Sequence, residues 1–155
     1  MTVARIFTPE NRLAKILDNL DAPTAAELVA EAEGRVSKLS VAIRGYVEEK
    51  LTTIMAFATQ GEDVLFAECQ TLSDAALNVA EVAGAAEMEA IGEVARGISA
   101  MVDGLISSGV WHSDALKLHL DALALVNQGG GKMTDENKVI LARLRGMRDA
   151  VGVVE

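Results

Sequence analysis

Residues 24–60 read TAAELVAEAEGRVSKLSVAIRGYVEEKLTTIMAFATQ, and this stretch decides the fold class. Thr24 is followed three residues later by Glu27. That spacing is a capping box, in which hydroxyl and carboxylate each take an orphan backbone N–H at a helix start. Apolar residues then recur at an eleven-residue period: Leu28 with Leu39; Ala32 with Ile43 and Ile54; Val36 with Val47 and Ala58. Eleven residues in three turns is close to the natural winding of a straight helix, so no strong left-handed supercoil is implied. A helix of roughly 36 residues spans about 54 Å, more than a compact domain of this size needs. The reading predicts that the helix bends or lends part of its length to a second subunit.

Working outward, the only prolines are Pro9 and Pro23, which leaves the rest of the chain free to be helical. Upstream, residues 1–8 read as an extended arm, and Pro9-Glu10 opens a short helix with Leu13, Ile16, Leu17 and Leu20 on one face. Asp21-Ala22-Pro23 stops it. Downstream, Gln60-Gly61 is a stop signal. A second helix is predicted over about 62–83, with Leu65, Cys69, Leu72, Ala76, Val79 and Ala83 as its stripe. Gly84 then serves as a C′ residue. A third helix covers about 88–107 and carries Ile91, Val94, Ile98, Met101, Val102 and Leu105; its Gly92, Gly97 and Gly104 fit close helix contacts or a tolerant surface. Ser108-Gly109 breaks the chain, Ser113 caps a fourth helix over about 114–127, and Gln128-Gly129-Gly130-Gly131 forms a loop. Thr134 caps a last helix over about 135–150, with Ile140, Leu141, Leu144, Met147 and Val151 inward. The expected fold is all-α: an antiparallel helical bundle of four to five main helices with a long first helix. Residues 1–23 are read as an arm and short helix, and 24–155 as the bundle domain.

Composition narrows the function. Half of the 155 residues are hydrophobic, enough for a core, and aromatics are only 3%, so that core is aliphatic. The net charge of −9 disfavours nucleic acid and an anionic membrane surface as partners, since both need clustered Lys and Arg. Residues 1–60 and 107–155 are close to neutral. Residues 61–106 carry nine acidic groups against Arg96 alone, a net −8. Glu81, Glu87, Glu89 and Glu93 gather around the turn of that hairpin, so a partner meeting it is expected to be basic there; a merely solubilising face is the alternative. One cysteine excludes an internal disulfide. The opening MTVARIFTPENR lacks the apolar run of a signal peptide. A cytoplasmic address is the expectation.

The residues that carry chemistry do not assemble into a motif. Gly129-Gly130-Gly131-Lys132 looks like a phosphate loop, but Met133 follows where Ser or Thr is needed, and a helix precedes where a strand is needed. His112 and His119, with Asp114 or Asp121, lack the ligand spacing of a metal site; the expectation is that His112 sits at a helix start and His119 is half-buried beside Leu116 and Leu123. Cys69 lies on an apolar stripe, so it reads as a buried hydrophobe. Trp111 reads as an anchor at a bundle end. The carboxylates of 81–93 lack an apolar pocket to shift a pKa. Lys138, Arg143, Arg145 and Arg148 on the last helix form a docking patch or simply favour the helix C-terminus. No catalytic group, cofactor site or metal site is assigned.

Residues 76–105, ALNVAEVAGAAEMEAIGEVARGISAMVDGL, resemble the two-helix core of histidine-phosphotransfer domains, over about a fifth of the chain. In that family an Ala-His-x-Leu-Lys-Gly-x-Ala-Gly stretch ends one helix; Ala83-Gly84 fits its end, and Ala90-Ile91-Gly92-Glu93-Val94-Ala95 fits the helix that follows. Counted back from Gly84, the phosphorylated histidine falls at Leu77, the lysine at Ala80 and the glycine at Glu81. The phospho-acceptor and its cation are both replaced. With GEVARGISAMVDGLISSGVWHSDALKLHLDALALV, the chain is also similar to small helical proteins encoded among bacterial chemotaxis genes, the CheE type. The resemblance implies a non-catalytic accessory protein that docks a receiver domain or kinase through Leu77, Ala80, Glu81, Gly84 and Glu87. Two alternatives stand beside it. One is a structural or self-associating protein, with the helix over 24–60 as homodimer seam. The other is a phosphotransfer protein using His112 or His119.

Overall fold

The computed structural model describes residues 23–153. Every regular element among them is helical. Six α-helices follow in order: α1 (Ala25–Ala56), α2 (Glu62–Ala67), α3 (Cys69–Val82), α4 (Glu89–Ser108), α5 (Ser113–Gln128) and α6 (Asp135–Ala150). The arm and short helix expected over residues 1–22 lie outside the described residues. The chain divides into two units, Met1–Ser37 and Lys38–Glu155.

In the first unit, the Thr24 backbone N–H donates to Glu27 Oε2 at 2.7 Å, and the Glu27 N–H donates to Thr24 Oγ1 at 3.3 Å, so the capping box forms as its spacing predicts. The Thr24 N–H, and the Thr24 hydroxyl that donates to the same Oε2 at 2.9 Å, hold the Glu27 carboxyl below its usual pKa. Within the second unit, the α-helix stops at Ala56 and tightens into a 3₁₀ turn, Phe57–Thr59.

The second unit is organised around α4. Ala90, Ile91, Val94, Ala95, Ile98, Met101, Val102 and Leu105 are all buried, and α4 packs against α3, α5 and α6. α3 and α4 run antiparallel: Ser73 and Ser99 share a buried hydrogen bond of 2.8 Å, while Ala80 and Ala83 lie against Gly92 at the other end. The contact is close because the facing side chains are small. A Cβ on Gly92 would stand 3.3 Å from the Ala83 Cβ. One on Gly97 would meet the Arg148 guanidinium at 2.6 Å, and one on Gly104 would overlap Val153. The interior glycines of α4 thus mark close approaches, one of the two roles their sequence allowed.

Several local expectations change. The helix expected over 62–83 is broken at Glu68 (φ −111°, ψ 16°), with no glycine or proline to mark the break. Gly84 is not the left-handed terminator; it lies within a 3₁₀ turn, Ala83–Ala86, and Glu87 takes the positive φ of 58°. Ser113 does not cap α5: the cap position is His112, and no side chain bonds there. Thr134 does cap α6, accepting from the Asn137 N–H at 3.2 Å.

Candidate functional site

The acidic turn between α3 and α4 draws on three parts of the chain. Within it, the Glu87 N–H donates to the Gly84 carbonyl at 3.1 Å and the Met88 N–H to the Ala83 carbonyl at 3.0 Å. From α1, Arg44 Nη2 donates to the Ala86 carbonyl at 2.7 Å. From the α5–α6 loop, Lys132 Nζ reaches Glu87 Oε2 at 3.0 Å. That ammonium holds the Glu87 carboxyl below its usual pKa, chiefly through the hydrogen bond. The glycine loop has a structural task here. The Gly131 carbonyl accepts the Ala90 N–H at 3.0 Å, satisfying a donor that helix α4 leaves open at its start. Gly131 has φ 74°, and a Cβ there would stand 2.6 Å from Ile91 Cδ1, so only glycine fits.

Leu77 lies on the outward face of α3 and is 46% exposed, with Asp74, Asn78 and Glu81 exposed on the same face. Gly84 and Glu87 are also exposed. Ala80 is not: it is buried against Gly92 and offers a partner no side chain. Four of the five candidate docking residues therefore stand at the surface and the fifth belongs to the helix contact. Glu93 pairs with Arg96. Glu81 and Glu89 have no ion-pair partner among the described residues, so the surface keeps much of its negative charge.

The two histidines differ. His112 is exposed at the start of α5. His119, expected to be half-buried, is fully buried: its Nδ1–H donates to the Ala115 carbonyl at 2.9 Å, and Arg148 Nη1 lies 3.4 Å from Nε2. Burial foremost, and the nearby Arg148 charge, push its pKa down against the effect of the carbonyl bond. The ring is thus a neutral core group. Arg148, read from sequence as part of a surface patch, is itself buried, whereas Arg143 and Arg145 are exposed. No signal in the sequence pairs residues 119 and 148; the nearest was Gly97, whose missing Cβ makes room for the guanidinium.

Cys69 is half-buried against the core rather than fully enclosed. Trp111 is half-buried and meets Phe66 edge-on, ring centres 5.2 Å apart. Its indole N–H is buried with no acceptor among the described residues. Asp114 and Asp121 are exposed. Among the described residues, no three His, Cys, Asp or Glu side chains gather to hold a metal ion, and no helix is long and apolar enough to cross a membrane. No protein-family model matches the chain, and neither a curated protein nor a solved structure matches it.

Proposed function

We propose that this chain is a non-catalytic signalling adaptor: an antiparallel helical bundle, cytoplasmic, that docks a receiver domain or its kinase through the outward face of α3 and the turn that follows. The observation that carries the reading is Leu77. It occupies the position that the resemblance gives to a phospho-accepting histidine, yet it is an aliphatic residue, 46% exposed, between the exposed Asp74 and Glu81. An exposed leucine ringed by acids supplies an apolar anchor with a polar rim, the usual anatomy of a protein contact. It has no atom that accepts a phosphoryl group. His119 supports the same conclusion, since its buried ring offers no approach to a partner's phosphate.

The acidic rim requires a basic one on the partner, because a receiver's own acidic pocket would repel Glu81 and Glu89. Titration of receiver domains and kinases against the full chain tests the reading. A binder is expected to lose about tenfold in affinity, near 1.4 kcal/mol, with Leu77→Asp, whose half-exposed site leaves the fold intact. Binding is expected to weaken with salt. If no receiver or kinase binds, or if the chain takes up phosphate from one, the adaptor reading fails.

A further inference from the structure

We infer that the first half of α1 is a self-association surface, on which two copies of this chain pair in antiparallel fashion through Leu28, Ala32, Val36 and Leu39. The apolar stripe of α1 runs without interruption through Leu28, Ala32, Val36, Leu39, Ile43, Val47, Leu51 and Ile54, at steps of three and four. Val47, Leu51 and Ile54 are buried. Leu28, Val36 and Leu39 are 50%, 66% and 60% exposed on the same stripe. A run of large aliphatics on one helix face is a seam that lacks its partner.

Charge selects the partner and its direction. Between Ala25 and Gly34 every charged residue is acidic: Glu27, Glu31 and Glu33. Between Arg35 and Gly45 every one is basic: Arg35, Lys38 and Arg44. A helix charged in this way is complementary to a reversed copy of itself. With a two-fold axis near Glu33-Gly34, Leu28 of one copy lies beside Leu39 of the other and Ala32 beside Val36. Glu27 and Glu31 then flank Lys38 and Arg35 across the seam. A parallel pair would set acid against acid and base against base, which is unfavourable. Arg35 and Glu31 already bond within the helix at 2.5 Å, but both side chains remain largely exposed and free to bridge two chains. The arrangement is isologous, so it closes as a dimer.

Cross-linking and sedimentation of the full chain test this, in a Cys69→Ser background. The positions 28 and 39 lie about 16 Å apart along one helix at 1.5 Å per residue, too far for a disulfide within a chain. Leu28→Cys mixed with Leu39→Cys is expected to give a cross-linked dimer on mild oxidation, while neither variant alone does so. Val36→Glu, exposed and so harmless to folding, is expected to weaken dimerisation at least tenfold with the helical circular dichroism unchanged. Cross-linking of Leu28→Cys to itself would overturn the antiparallel arrangement. A chain that stays monomeric at about 100 μM would overturn the proposal altogether.

Discussion

α1 and α4 carry apolar stripes of the same spacing and meet opposite fates. Ile91, Val94, Ile98, Met101, Val102 and Leu105 of α4 are each no more than 2% exposed, while Leu28, Val36 and Leu39 of α1 are at least half exposed. Periodicity therefore identified both helices and did not rank their burial. The difference lies between the large residues. α4 intersperses Gly92, Ala95, Gly97, Ser99 and Gly104, which let α3, Arg148 and Val153 close on other parts of its circumference. The first half of α1 instead carries Glu27, Glu31, Glu33, Arg35 and Lys38 beside its stripe. A helix becomes central when small residues let several neighbours approach, and peripheral when charge leaves it a single apolar face.

Truncation of the central stripe should give the largest effect. Ile98→Ala removes a fully buried side chain among packed neighbours, so a loss of about 2–5 kcal/mol in unfolding free energy is expected. Chemical denaturation measures it directly; a cost below about 1 kcal/mol would mean that α4 is not the packing centre. The Ser73–Ser99 bond gives a smaller and more diagnostic effect. Ser73→Ala leaves the Ser99 hydroxyl buried without this partner and should cost about 1–2 kcal/mol. The double replacement by Ala should recover most of that, since no polar group is then stranded. If the two single costs simply add, the hydroxyls do not pair and the helix register is different.

Local signals carried much of the architecture, and non-local ones did not. The capping box at Thr24, the cap at Thr134 and the stop after Gln60 act within one helical turn, and each stands where its residues place it. The break at Glu68 has no local marker at all. The left-handed residue proved to be Glu87 rather than Gly84; Arg44 and Lys132, 43 and 45 residues away in sequence, hold the turn that contains it. The glycine loop was legible as a loop, but its service to α4 depends on Ala90 and Ile91 lying beside it. For the candidate surface, the charge followed from sequence. The burial of Ala80 did not, because it depends on Gly92 in the next helix.

Acidification should separate the two helices again. His119 sits against α4 at Gly97, with the Arg148 charge facing it, and its folded pKa is lowered from 6.5. The unfolded chain therefore binds a proton that the folded chain resists as pH falls below about 6.5. By linkage, the stability contributed by the neutral ring is complete above that value and declines as pH falls through the window beneath it. The melting temperature should drop between pH 7 and pH 5.5, and the drop should be shallower in His119→Gln. Equal slopes in the two proteins would show that the buried ring does not govern the response. The first half of α1 holds no histidine and should contribute nothing to this slope.

The smallest effect is expected on α1, and its sign is the informative part. Val36 is 66% exposed, so Val36→Ala removes little buried surface from a single chain. It also replaces a β-branched residue, stiff against the preceding turn, with the strongest helix former. At low protein concentration the variant should be unchanged or more stable by up to about 0.5 kcal/mol. If two copies pair as proposed, the balance should shift the other way at high concentration, because the trimmed side chain would lie at the centre of the antiparallel seam and mass action would favour the folded dimer less strongly. Thermal melts across a hundredfold range of concentration would show the wild-type midpoint rising and the variant's rising less. A loss above about 1 kcal/mol at the lowest concentration would mean that Val36 is buried within one chain; the contrast between α1 and α4 would then disappear. A wild-type midpoint independent of concentration would preserve the contrast and remove the second copy.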